Sequence, residues 1–115
     1  MLLKNLIYVN DEKQIDVKIE NGIISEIGEH LDGEGLDCEG KFIADGFIDM
    51  HCHLREPGGE HKETIETGSK SAVKGGFTTI CPMPNTNPTP DSAIVLQQII
   101  NEAKRVNLRS EEHTS

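Results

Sequence analysis

DMHCHLREPG, at residues 49–58, follows the apolar pair Phe47-Ile48 and ends in Pro-Gly. A short apolar run that meets Pro-Gly predicts a buried strand, residues 47–54, that runs into a loop. Because alternate strand residues share a face, one face is wholly apolar, with Ile48, Met50, Cys52 and Leu54. The opposite face carries Asp49, His51, His53 and Arg55. Two imidazoles and a cation at the end of a buried strand indicate a metal with an anionic substrate beside it.

The composition restricts the class of protein. The chain has 115 residues, one ordinary domain at most, and a formal charge of −9 without a basic cluster, which argues against nucleic-acid binding. No apolar run is long enough to span a membrane. The three cysteines are odd in number and not closely spaced, as expected of reduced thiols in the cytosol. We therefore expect a cytoplasmic protein.

Residues 1–45 carry the pattern of β-structure. Ile15, Val17 and Ile19 alternate with charged residues, as in a half-buried strand. Asn21-Gly22 predicts a tight hairpin turn, because both central residues of a type I′ turn need positive φ. Short strands are predicted on either side of Glu39-Gly40. This region holds no catalytic constellation, and we interpret it as a structural β-layer.

From Gly46 the pattern becomes strand, loop, helix, strand, loop, helix. The predicted elements are a helix over 63–74 that ends at Gly75-Gly76, a strand over 77–81, and a second helix capped by Asp91. Two successive βα units predict an α/β fold with a parallel sheet, as in a TIM barrel. Such a barrel takes roughly 250 residues, so residues 46–108 would supply only its first two βα units. We therefore expect the chain to be truncated.

The candidate ligands of the metal are His51 and His53. Residues two apart on a strand point the same way, so both imidazoles can reach one ion, and neutral imidazole suits zinc. The His-x-His pattern alone is weak, because two nearby histidines are more often surface or core residues. Here the shared face with Asp49 and Arg55 favours a site.

Two further residues could bind substrate. Arg55 is either an exposed cation in a loop or a residue whose planar guanidinium binds a carboxylate of the substrate. Asn85, just after the second strand, is either a turn residue or an amide that orients the substrate. Cys52 and Cys81 are predicted to serve packing rather than chemistry.

Four motifs resemble those of the dihydroorotases, cyclic amidases of the amidohydrolase superfamily. They are GFIDMHCHLREPG at 46–58, EHKETIETG at 60–68, GGFTT at 75–79 and MPNT at 83–86. The resemblance extends from residue 1 to about Leu108. It departs from the family at Asp45, where proline is usual, and at Cys52, where an aliphatic residue is usual.

The resemblance implies a zinc-dependent metallo-hydrolase barrel, with residues 1–45 as the N-terminal part of a small β-sandwich. The implied reaction is the reversible cyclisation of N-carbamoyl-L-aspartate to L-dihydroorotate in pyrimidine biosynthesis. His51 and His53 would bind one or two zinc ions, and Arg55 and Asn85 would hold the substrate carboxylate. The other ligands and the proton-shuttle carboxylate would lie beyond Leu108, so the segment alone is expected to be inactive.

Two alternatives remain open. Allantoinases and dihydropyrimidinases share the fold and the His-x-His, but they usually lack an arginine at the place of Arg55 and the MPNT run. A metal-free dihydroorotase-like subunit could instead serve as a scaffold for aspartate transcarbamoylase, although the intact His51 and His53 argue against it. The expected assembly is a homodimer or a complex with aspartate transcarbamoylase.

The last seven residues, 109–115, read as the translation of a widely used sequencing-library adapter in one frame. We expect this tail to be foreign to the gene, and we assign no function to His113.

Overall fold

The structure is a computed structural model that describes residues 1–106, so the predicted foreign tail lies outside the described residues. The chain divides into two compact units, Met1–Asp45 and a second unit that begins at Gly46. Within the described residues, no helix has the length and apolar character needed to cross a membrane.

The first unit is a five-stranded sheet in the order β3-β2-β1-β4, with β5 also paired to β1. Its strands are β1 (Leu2–Tyr8), β2 (Gln14–Glu20), β3 (Ile23–Gly28), β4 (Leu36–Asp37) and β5 (Phe42–Ile43). Antiparallel pairing joins β1 to β2 and β2 to β3, whereas β4 and β5 lie parallel to β1. Asn21 and Gly22 have φ of 52° and 72°, which confirms the predicted hairpin turn.

The core of this unit is small. Leu6, Val17 and Cys38 are buried together. Partly buried apolar side chains pack around them, namely Leu3, Ile15, Ile19 and Ile43. The alternation read from the sequence of β2 therefore places its apolar side chains on the covered face of the sheet.

One carboxylate, that of Asp16, is buried in the same unit, with only 1% of its surface exposed. Its Oδ1 accepts a hydrogen bond from the backbone N–H of Asn5 at 2.9 Å, and its Oδ2 accepts one from Leu31 at 3.0 Å. Asn5 has a φ of 57° and lies where the β1–β2 register shifts, so its N–H has left the regular ladder. The Asp16 carboxylate therefore accepts hydrogen bonds from two backbone N–H groups, one in the bulged part of β1 and one in the loop at Leu31.

The second unit contains two βα pairs. Its elements are β6 (Phe47–Cys52), α1 (Ile65–Lys74), β7 (Phe77–Pro82) and α2 (Ala93–Val106). β6 and β7 pair in parallel, and the rings of Phe47 and Phe77 lie 5.7 Å apart across the pair. The predicted mixed α/β class is confirmed, and the strands within residues 1–106 form no closed barrel.

The helices begin and end for local reasons. Thr64 caps α1, because its side chain accepts a hydrogen bond from the backbone N–H of Thr67, and Gly75 follows the last turn as predicted. Ser92 rather than Asp91 contacts the start of α2, since its Oγ accepts from the N–H of Val95 at 3.4 Å. The prediction that Asp91 caps this helix is therefore wrong.

Burial of β6 is also predicted wrongly for the described residues. β6 ends at Cys52 rather than at Leu54, and its apolar side chains Ile48 and Met50 are 63% and 77% exposed. Cys81 on β7 is exposed as well, so the packing role predicted for it is not seen. The physical reason is that residues 1–106 supply only two strands of this sheet, and no described layer covers that face.

The two loops that follow the strands are joined by backbone. The N–H of Asn87 donates to the carbonyl of Pro57 at 3.0 Å. Gly58 sits at this contact with a φ of 92°, and a Cβ placed on it would lie 2.1 Å from the carbonyl oxygen of Asn87. Only glycine fits there, because both the backbone angle and the space exclude a side chain.

We predict that Asp16→Asn destabilises the first unit at neutral pH. The N–H groups of Leu31 and Asn5 lower the pKa of the Asp16 carboxyl. A lowered pKa contributes stability above the unfolded value of about 3.9 and loses it as the pH falls through the folded pKa. Urea unfolding of the full-length protein from pH 3 to pH 7 should show the largest deficit at pH 7. Asp32→Asn, an exposed carboxylate in the same loop region, is the control. A deficit that does not change with pH would contradict the assignment.

Gly58→Ala should be markedly more damaging than Gly22→Ala. Both positions have positive φ, which costs a residue with a Cβ roughly 1–2 kcal/mol. A Cβ at Gly22 meets nothing within 4 Å, whereas at Gly58 it collides with Asn87. Thermal unfolding of the two full-length variants measures the difference, and equal losses would show that the two loops do not touch.

Candidate metal centre

His51 and His53 stand close together at the end of β6. Their ring centroids are 5.3 Å apart, and the rings are inclined at 71°. A zinc–nitrogen bond is about 2.0–2.1 Å long, so two rings at this separation can each present one nitrogen to the same ion. The structure thus brings together the two histidines that the sequence singled out.

The backbone under these histidines is irregular. The register runs from Asp49 opposite Ile80 to Cys52 opposite Pro82, so β6 holds one more residue than β7 in this interval. The Oδ1 of Asp49 accepts a hydrogen bond from the backbone N–H of His51 at 2.9 Å. Such a bulge re-aims side chains and ends strict alternation. A hydrogen bond from a backbone N–H to the side chain of an aspartate two residues earlier is an Asx pattern, which stabilises such irregular backbone locally.

Asn85 touches His53 directly. It lies in the loop after β7, and its Oδ1 is 3.0 Å from the Nδ1 of His53. Because β6 and β7 are parallel neighbours, the loops that follow them leave the sheet at the same edge. The sequence predicted Asn85 as a site residue, but it did not predict this partner.

Arg55 does not continue the strand face as expected. Its φ is 61°, so it lies in a turn beyond the end of β6. Among residues 1–106 it forms no ion pair. The adjacent Glu56 is engaged elsewhere, since its Oε2 accepts from the N–H of Ile65 at the start of α1, at 2.7 Å. A carboxylate at a helix N-terminus is well placed for the helix dipole, and Glu56 is not paired with Arg55 among the described residues.

Cys52 is unsuited to act as a nucleophile here. Burial, together with the negative charge of Asp49, raises the pKa of the Cys52 thiol. The thiol therefore stays protonated at neutral pH, and the thiolate is the reactive form.

A cavity of about 220 Å³ lies between the β6–β7 sheet and α1. His53 and Asp49 border it, together with apolar groups such as Leu54, Phe77 and Ile80. Its lining does not include His51, Arg55 or Asn85. The cavity therefore belongs to the layer between sheet and helix, and the candidate site lies at the ends of the strands.

The donor set fits part of a zinc site. Two imidazoles are suitable ligands, but an ordinary catalytic zinc ion has three protein ligands. The described residues contain no cluster of three or more His, Cys, Asp or Glu side chains that could hold a metal.

Residues 40–113 match the family described as Dihydro-orotase-like. The chain is 52% identical over 103 residues to a dihydroorotase of Macrococcus caseolyticus, which covers 86% of the chain and 24% of that protein. It is 51% identical over 116 residues to a dihydroorotase of Bacillus cytotoxicus, which covers 93% of the chain and 27% of that protein.

Among solved structures, the L-hydantoinase (dihydropyrimidinase) of Arthrobacter aurescens is similar, with a TM-score of 0.77 and 27% identity. The similarity covers 89% of this chain and 24% of the hydantoinase. The chain spans about a quarter of the length of the curated relatives it matches. On the family match and on the identity to these relatives, the chain belongs to the dihydro-orotase-like family and is a homologue of the dihydroorotases.

Proposed function

We propose that the protein carrying this chain is a zinc-dependent dihydroorotase, which interconverts N-carbamoyl-L-aspartate and L-dihydroorotate in pyrimidine biosynthesis. The observation that carries the proposal is the His51–His53 pair, with ring centroids 5.3 Å apart, in a chain about half identical to dihydroorotases. Arg55, without an ion pair in the described residues, adds a binding group for an anionic substrate.

The two histidines would hold the metal, one ion or one of a pair. When bound, zinc would polarise the amide carbonyl of the substrate as a Lewis acid. The third ligand and the carboxylate that shuttles the proton would come from the remainder of the protein. The segment alone would therefore be inactive, because its own residues cannot complete the metal centre.

Both proposed substrates carry a carboxylate that takes no part in ring closure. The guanidinium of Arg55 would pair with it through two parallel hydrogen bonds. The amide of Asn85 would donate to the same group. These contacts would orient the substrate so that the reacting amide reaches the metal.

We also propose that the second unit begins a TIM-type barrel and that the first unit is the N-terminal part of a small β-sandwich. Exposed apolar side chains support both parts of this proposal. Ile48 and Met50 on β6 are exposed, and further strands of a barrel would cover them. On β3, the exposed fractions of Ile23, Ile24 and Ile27 are between 55% and 70%. Contiguous apolar surface of this kind ordinarily marks a face that another part of the protein covers.

A second candidate is a cyclic amidase for uncharged rings, and the similarity to the hydantoinase favours it. Such a substrate offers no carboxylate to Arg55, which is why we place it second. A metal-free scaffold subunit of aspartate transcarbamoylase has less support, because both histidines are present and close together. The homodimer and the cytoplasmic location remain predictions.

In the full-length protein, His51→Ala and His53→Ala should each lose zinc and turnover. Each variant removes a ligand for which the described residues offer no substitute. We expect zinc affinity to fall by more than about 100-fold, the upper end of the loss seen when only a ligand's partner is removed. Metal analysis after dialysis measures this, with His30→Ala as the control. Normal zinc content in either variant would remove that histidine from the site.

Arg55→Ala should retain zinc and lose at least about tenfold in kcat/KM for dihydroorotate. A charge-assisted hydrogen bond contributes roughly 1.5–3 kcal/mol, and about 1.4 kcal/mol corresponds to tenfold. Arg55→Lys should stay impaired, because lysine keeps the charge but lacks the planar fork. The comparison substrate is a cyclic amide without the carboxylate, such as dihydrouracil. Equal slowing of both substrates would show that Arg55 does not bind the carboxylate.

A further inference from the structure

The contact between Asn85 and His53 defines which ring nitrogen carries the proton. The Oδ1 of Asn85 lies 3.0 Å from the Nδ1 of His53. An amide oxygen only accepts hydrogen bonds, so Nδ1 must be the donor. A neutral imidazole carries one ring proton, and the Nε2 of His53 is therefore left with its lone pair available.

The loop that carries Asn85 is fixed on both sides of it. The N–H of Met83 donates to the carbonyl of Cys52 at 2.8 Å, and the N–H of Asn87 donates to the carbonyl of Pro57 at 3.0 Å. These two backbone bonds attach residues 83–87 to the end of β6 before His53 and to the β6–α1 loop after it. The amide of Asn85 is thus held against the imidazole by the backbone rather than by a single exposed hydrogen bond.

We propose that Asn85 is a positioning residue for the metal ligand His53. Its carbonyl oxygen holds the ring in the Nδ1–H tautomer and in one orientation, so that Nε2 is the nitrogen presented to the metal. Histidine ligands characteristically donate their second ring N–H to an oxygen, and this partner orients the ring and raises its basicity. The inference rests on the proposed function, because it takes His53 to be a zinc ligand.

The side-chain amide of Asn85 also carries an NH₂ group. Within the described residues, the Nδ2 of Asn85 makes no hydrogen bond, so both of its N–H donors remain available. One side chain would then accept from a metal ligand and donate to the substrate carboxylate. The two roles need different atoms, and substitution can separate them.

The test uses the full-length protein and three variants. Asn85→Leu removes both the acceptor and the donors at similar volume. Asn85→Asp keeps an acceptor for His53 but loses the donors and places a negative charge against the substrate carboxylate. Asn87→Leu makes the same change as Asn85→Leu two residues further along the loop, at a side chain that forms no hydrogen bond in residues 1–106, and is the control.

Two measurements report on the metal ligand independently of activity. Competition with a chromogenic chelator gives the zinc affinity, and nitrogen NMR of ¹⁵N-histidine-labelled apoprotein gives the tautomer of His53. We expect Asn85→Leu to bind zinc about 10–100-fold more weakly and to lose the Nδ1–H tautomer preference. Asn85→Asp should keep zinc affinity and tautomer, yet raise the KM for dihydroorotate. Asn87→Leu should match the wild type.

The outcomes distinguish a failure of the proposed function from a failure of this inference. If the wild-type protein binds no zinc, the proposed function fails and the inference fails with it. If the wild type binds zinc and Asn85→Leu binds it equally well with the same tautomer, the inference is wrong while the proposed function stands. If Asn85→Asp loses zinc as severely as Asn85→Leu, the carbonyl acceptor is not what positions His53.

Discussion

The parallel pairing of β6 with β7 is the constraint on which the candidate site depends. Parallel strands direct their carboxyl ends to the same edge, so the loops after β6 and β7 emerge side by side. Residues more than thirty positions apart, His53 and Asn85, thereby come within hydrogen-bond distance. Without this pairing, the histidines would be two neighbouring side chains on an isolated strand, and His53 would lack its hydrogen bond with Asn85.

Contacts between the loops that follow β6 and β7 also hold the candidate site together. The backbone bond from Asn87 to Pro57 and the glycine at position 58 bring the two loops into direct contact. The side chain of Glu56 connects the first loop to the start of α1 through its hydrogen bond with Ile65. Between the two helices, Arg105 of α2 pairs with Glu66 of α1 at 3.1 Å. That pair is exposed and contributes little to stability, so the site depends mainly on the sheet and the loops.

The two units differ in how much of their apolar surface is buried. The first has a buried core around Leu6, Val17 and Cys38 and a fully satisfied buried carboxylate, Asp16. In the second, Ile65 is fully buried, while much of the apolar surface of the sheet is exposed. The proposed barrel would account for this contrast, because a barrel core forms only when all its strands surround it, and the chain spans about a quarter of its relatives' length.

Local patterns predicted most of the elements and singled out the candidate ligand residues. Alternation of apolar and charged residues predicted β2, Asn21-Gly22 predicted the hairpin, and Gly75 predicted the end of α1. The His-x-His pattern pointed to the candidate ligands. Each of these patterns depends only on neighbours within a few residues. Three features needed the tertiary structure: the bulge at Asp49, the turn at Arg55 and the hydrogen bond from His53 to Asn85. The bulge exists only relative to the register of β7, and the hydrogen bond depends on the meeting of two distant loops. The exposure of Ile48 and Met50 has the same origin, since burial is set by the layers that surround a strand and not by its own sequence.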